Sequence, residues 1–146
     1  MKKRTRAREI ALQALYQLDV QGQDFLPDVS DFLSEEEPDR ETVEFALGLV
    51  RGVYSQCTEL DRAIAAVAQN WDIGRMAIVD RNVLRMASFE LLYRDEIPPK
   101  VSINEAIELG KRFSTKNSGA FINGILDRIK TRAQEATDAA KASEEG

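Results

Sequence analysis

Histidine is absent from the 146 residues, and cysteine occurs once, at position 57. The first absence removes the commonest general base and the commonest metal ligand. The second forbids an intrachain disulfide and leaves no cysteine set for zinc. Cys57 is expected as a small apolar residue buried in a helix. Glycine-rich phosphate loops are missing as well, and no two carboxylates stand in settings that would push their pKa values apart. No catalytic residue, metal ligand or cofactor is therefore assigned, and the chain is expected not to be an enzyme. Long apolar runs are also lacking, none approaching the roughly 20 residues of a membrane helix. The opening MKKRTRAREIALQALYQL intersperses charge with apolar residues and is followed by no small-residue cleavage site, so it is not a signal peptide. The expected location is the cytoplasm, away from membranes.

What is present is an ordinary core composition, 43% apolar and 31% charged, with a lopsided charge distribution beneath a net charge of −5. Five of the 20 basic residues, Lys2, Lys3, Arg4, Arg6 and Arg8, stand in the first eight positions with no acid among them. The other 138 residues carry 15 bases against 25 acids. This is a local basic patch on an acidic body, and the patch is what a polyanion would meet.

Helical periodicity recurs along most of the chain. Residues 4–21 place Ala7, Ile10, Ala11, Ala14, Leu15 and Leu18 on one stripe. Residues 22–40, punctuated by Gly22, Pro27 and Pro38, are acidic and read as a linker with room for a short helix around Val29 to Leu33. Glu41 to Gln56 is a second helix. Thr58 and Asp61 resemble a capping box opening a third, which carries Leu60, Ile64 and Val67. After the break at Trp71 and Gly74, Asp80 to Tyr93 is helical. Pro98-Pro99 ends that region. Ser102 and Glu105 form a second capping box, for a helix through about Phe113. Ser118 is placed to cap a last helix carrying Phe121, Ile122, Ile125, Leu126 and Ile129. From about Gln134 the chain is alanine-rich and polar, and is expected to fray. No segment alternates long enough to be a strand. The expected fold is all-α, a bundle of six or seven helices.

On the first helix, the side opposite the apolar stripe collects Lys2, Arg6, Glu9, Gln13 and Tyr16, with Arg4 and Arg8 at the flanks. Cations for phosphates, an amide for base edges and an aromatic for stacking suit single-stranded RNA. A second acid-free stretch, Leu109 to Leu126, holds Lys111, Arg112, Lys116, Asn117, Ser118 and Phe121, at a helix start able to receive an anion. Ser118 as an N-cap and Phe121 as a core residue are equally good readings of those two side chains. The sequence alone does not bring the two stretches together.

RAREIALQALYQ at residues 6–17 resembles the opening helix of the NusB family of transcription antitermination factors. Trp71 with Arg75, DRNVLRMASFEL at 80–91, KVSINEAIELGKRF at 100–113 and FINGILDRI at 121–129 are similar to that family in the same order. The resemblance implies one domain over residues 1–134, built of two three-helix subdomains at about 1–72 and 73–134, with a flexible tail at 135–146. It implies binding of boxA-type single-stranded RNA in ribosomal RNA transcripts, together with the small-subunit ribosomal protein NusE, in an RNA polymerase elongation complex with other Nus factors. Family RNA contacts fall here on Arg4, Arg6, Arg8, Tyr16, Lys116, Asn117 and Phe121, and the NusE contact on Asp80. A homodimer is left open by the same resemblance. Two other readings stand beside it: a helical protein–protein interaction module, and an accessory domain of an RNA-modifying enzyme. A similar domain begins some RNA cytosine methyltransferases, and the short chain favours the stand-alone factor.

Overall fold

The computed structural model describes residues 2–69 and 71–145, and among these every regular element is helical. Seven α-helices follow in order: α1 (Lys3–Gln21), α2 (Val29–Glu36), α3 (Arg40–Ser55), α4 (Cys57–Val67), α5 (Ile78–Tyr93), α6 (Pro99–Phe113) and α7 (Ser118–Glu145). Short 3₁₀ turns at Gly22–Asp28 and Ile73–Arg75 join α1 to α2 and α4 to α5. None of the described helices is long and apolar enough to cross a membrane.

The helices start and stop for local reasons, some different from those the sequence suggests. Gly22 closes α1 at φ 80°, a left-handed conformation glycine adopts without strain, and its N–H donates to the Leu18 carbonyl. Asp39 caps α3, its carboxylate accepting from the Thr42 N–H at 3.0 Å and the Thr42 hydroxyl at 2.7 Å. Neither expected capping box forms. Helix α4 begins at Cys57, one residue before Thr58, and Asp61 turns away to Arg85. Helix α6 begins at Pro99, whose fixed φ and missing N–H suit the first helical position. Ser102 thus lies inside the helix, where its hydroxyl donates to Glu90 at 2.8 Å. The expected linker is largely ordered too, as the 3₁₀ turn and α2, because Val29 and Leu33 are buried against the core. Helix α7 runs on to Glu145, and residues 134–145 are exposed along its length.

One apolar core runs through the molecule, from Ile10 and Leu15 of α1 through Leu49, Leu60, Ile64 and Leu84 to Ile122 and Leu126 of α7. Helix α5 is its axis, packing on α1, α3, α4, α6 and α7. Helix α4 packs chiefly on α5 and α7 rather than on α3, so a division at residue 72 separates α4 from the helices it covers. Gly52 of α3 leaves room for the Phe89 ring of α5, which an added Cβ would overlap.

Two polar networks fasten α1 to this axis. Near its start, Arg8 donates from Nε and one terminal nitrogen to the two oxygens of Glu90, at 2.8 and 2.7 Å, in a setting where both residues are 2% exposed. Near its end, Asp19 receives two bonds from Arg81, at 2.8 and 2.7 Å, and one each from Asn82 and Arg85. Arg85 also spans to Asp61 of α4. Burial alone would raise the Asp19 carboxyl, but the hydrogen bonds from Arg81 and Asn82 and the two guanidinium charges outweigh it and hold the group below its usual range.

Candidate nucleic-acid interface

With α1 fixed at both ends, its outer face is set by helical spacing. Lys2 is exposed at the entrance, Gln13 is half-buried and Tyr16 is 39% exposed. Glu9, on the same face, is covered, and it is the pivot of the site. Its carboxylate accepts from Arg112 of α6 at 2.7 Å and from Arg6 at 3.4 Å. A buried carboxylate between two cations is where the two basic stretches, 103 residues apart, meet. Arg112 in turn lies 4.9 Å from the centre of the neighbouring Phe113 ring, a cation–π contact within the last turn of α6.

Two recesses open on this surface. The first, of about 320 Å³, is walled by Gln13, Tyr16, Phe32, Val79 and Phe113. The second, of about 360 Å³, is walled by Trp71, Arg75, Asp80, Asn117 and Phe121. Val79 and Asp80 are neighbours in the first turn of α5, so that turn stands as the ridge between the recesses. Trp71 is 55% exposed and meets Phe121 edge to face, with ring centres 5.1 Å apart. The surface thus offers aromatic faces at Tyr16, Phe113, Phe121 and Trp71, amides at Gln13 and Asn117, and cations at Lys2, Arg6, Arg75, Lys111, Arg112 and Lys116.

Several expected residues take other places. Arg8 is not open to a ligand: it was placed at the flank of α1, but it points inward, where Glu90 and the nearby Glu105 at 3.8 Å would otherwise be unpaired. Ser118 is 4% exposed, with its hydroxyl turned back to Thr115, accepting from the Thr115 N–H at 3.3 Å. It tightens the turn that presents Lys116 and Asn117 and does not itself face outward. Lys3 donates to Glu41 at 2.7 Å and lies 3.5 Å from Asp39. Those acids, the Glu41 hydrogen bond first, raise its pKa above the ordinary value. Arg4 leans over the Phe45 ring of α3, 4.7 Å from its centre. Lys111, Lys116 and Asn117 are exposed as expected. Asp80 lies in the first turn of α5, which starts two residues earlier than expected, and its Oδ1 is sealed without a hydrogen-bond donor. Cys57 is half-buried in the first turn of α4, and burial pushes its thiol up.

Sequence reasoning missed Trp71, Arg75, Phe32 and Phe113 as parts of this surface. Trp71 served as a break between helices and, with Arg75, as part of the family resemblance, although a tryptophan in a polar loop is itself a signal of an exposed stacking face. Phe113 looked like the last apolar position of its helix, and only the side-chain bridge from Arg112 to Glu9 shows that this end of α6 lies beside Tyr16 of α1.

A sequence model of the NusB family matches residues 5–131. The transcription antitermination protein NusB of Anaeromyxobacter dehalogenans is 56% identical over 128 residues, covering 87% of this chain and 89% of that protein. That of Geobacter sulfurreducens is 51% identical over 123 residues, covering 84% and 89%. Among solved structures, T. maritima NusB superposes with a TM-score of 0.80 at 40% identity, covering 88% of this chain and 90% of that one. A crystal structure of antitermination factors NusB and NusE in complex with double-stranded RNA superposes with a TM-score of 0.81 at 26% identity, covering 90% and 98%. By sequence and by fold, the chain belongs to the NusB family.

Proposed function

We propose that this protein is a non-catalytic transcription antitermination adaptor of the cytoplasm, binding boxA-type single-stranded RNA of ribosomal RNA transcripts together with NusE in the RNA polymerase elongation complex. The observation that carries the reading is the joint between α1 and α6 at Glu9, which makes one surface of two separate basic stretches. Relatives named antitermination proteins, and a structural neighbour that holds NusE and RNA, support the same reading.

The neighbour's RNA is double-stranded, whereas the aromatic faces here favour unpaired bases. A base stacks on Tyr16, Phe113 or Phe121 only if it leaves its own helix, and such stacking is worth about 1–3 kcal/mol per base. Lys2, Arg6, Lys111, Arg112 and Lys116 then follow the phosphates, while Gln13 and Asn117 reach base edges. Asp80 keeps its role as the contact for the protein partner, as a half-buried carboxylate in the first turn of α5 that a basic side chain would pair with. Its position beside Asn117 and Phe121 brings that partner to the edge of the RNA surface.

The test is equilibrium binding of one short unstructured RNA, alone and annealed to its complement. The single strand is expected to bind more tightly, and Tyr16→Ala and Phe121→Ala are each expected to weaken it by at least fivefold, about 1 kcal/mol. Equal binding of strand and duplex, or indifference to both substitutions, contradicts a stacking surface.

A further inference from the structure

The acidic residues that bridge α2 and α3 lie on the cations of α1. Arg6 points its Nε at Glu37, 3.4 Å away, and donates from a terminal nitrogen to the Glu36 carbonyl at 3.1 Å. Lys3 reaches Glu41 at 2.7 Å and Asp39 at 3.5 Å. Arg6, assigned above to phosphates, and Lys3, its neighbour in the same basic run, are thus already occupied by anionic groups of the same chain. The pairs sit at the surface: the side chains of Lys3 and Glu41 are 60% and 77% exposed, those of Arg6 and Glu37 30% and 20%. Such pairs exchange readily, being worth little each in water.

We infer that the segment Glu36–Glu41 is an autoinhibitory strap, with Glu37 and Glu41 holding the places that RNA phosphates take on Arg6 and Lys3. The inference rests on the RNA-binding reading and deepens it. It differs from mere nearness of acids: a distant negative charge acts on RNA weakly and is screened by salt, whereas Glu37 and Glu41 compete with phosphate for the same two cations.

The experiment compares the full-length protein with the double variant Glu37→Gln, Glu41→Gln. Asp39 is left alone because it caps α3. A second double variant, Glu35→Gln with Glu44→Gln, removes the same charge from positions that hold no cation of α1, Glu44 pairing instead with Arg40 of its own helix. Each is titrated with the same short single-stranded RNA over a range of salt concentrations. The strap variant is expected to bind about three- to tenfold more tightly at low salt, the scale of two exposed pairs. The control variant is expected to differ from the unaltered protein by less than about twofold, since its charges are lost away from the two cations. A strap variant that matches the control in affinity overturns the strap while leaving RNA binding intact. Failure of all three proteins to bind RNA overturns the RNA-binding reading itself and the strap with it.

Discussion

Arg8 and Arg6 stand two residues apart in one basic run and do opposite work. Arg8 neutralises Glu90 inside the bundle, where neither has access to water, and Ser102 completes the carboxylate's hydrogen bonds. Arg8→Ala leaves that carboxylate buried without a counter-charge, so it is expected to lower unfolding free energy by about 3–5 kcal/mol. Arg6→Ala is expected to change stability by less than about 1 kcal/mol, and instead to weaken RNA binding. Urea unfolding and RNA titration of both variants check this pair of outcomes. Asp19 gives a pH-dependent counterpart. Its carboxyl is lowered in the fold from a reference value of 3.8, so its contribution is complete above that value and is lost as the pH falls through the lower folded value. Asp19→Asn is therefore expected to be less stable at neutral pH, and to lose less of its remaining stability than the parent on acidification below about pH 4. Parallel pH dependence of the two proteins in thermal unfolding would exclude this role.

At the scale of the elements, the order of helices was legible in the sequence because apolar spacing reflects a core that every helix shares. The starts of helices were less so. Ser102 and Glu105 have the pattern of a capping box, but the proline pair ahead of them starts α6 three residues earlier, and Glu90 and Arg8 then take the two side chains. Thr58 and Asp61 fail in the same way, because Arg85 offers Asp61 a charged partner. A proline pair decided the first and a long-range ion pair the second, and in both the side chains found distant partners invisible to local patterns. The same blindness put Arg8 on the RNA surface and hid Phe113 and Trp71, whose exposure depends on how α5, α6 and α7 meet. Gly52 belongs to this scale too. Its lack of a side chain makes room for the Phe89 ring, and Gly52→Ala is expected to destabilise by about 1–3 kcal/mol through overpacking against that ring, despite alanine's better helix propensity. A neutral or stabilising result in thermal unfolding would show that the Phe89 ring moves aside freely.

For the molecule as a whole, the central fact is a basic ridge on an acidic body. Beyond the first eight residues acids outnumber bases 25 to 15, which repels RNA over most of the surface and attracts a basic protein. On the proposed reading, a partner docked by Asp80 would add its own charge to a strand held by α1 and the α6–α7 turn. RNA and partner should then strengthen one another by the same factor, as linkage requires. Equal RNA dissociation constants with and without saturating NusE would mean that each binds independently. All of this depends on α1 and the α6–α7 turn acting as one surface. The most direct measurement is the change in backbone amide NMR signals as single-stranded RNA is added. The account predicts coincident shifts, saturating at one RNA concentration, at Gln13 and Tyr16 of α1 and at Phe113, Asn117 and Phe121 around the turn, with the α4 face silent. Shifts confined to one of the two stretches, or two sets saturating at different concentrations, would contradict it.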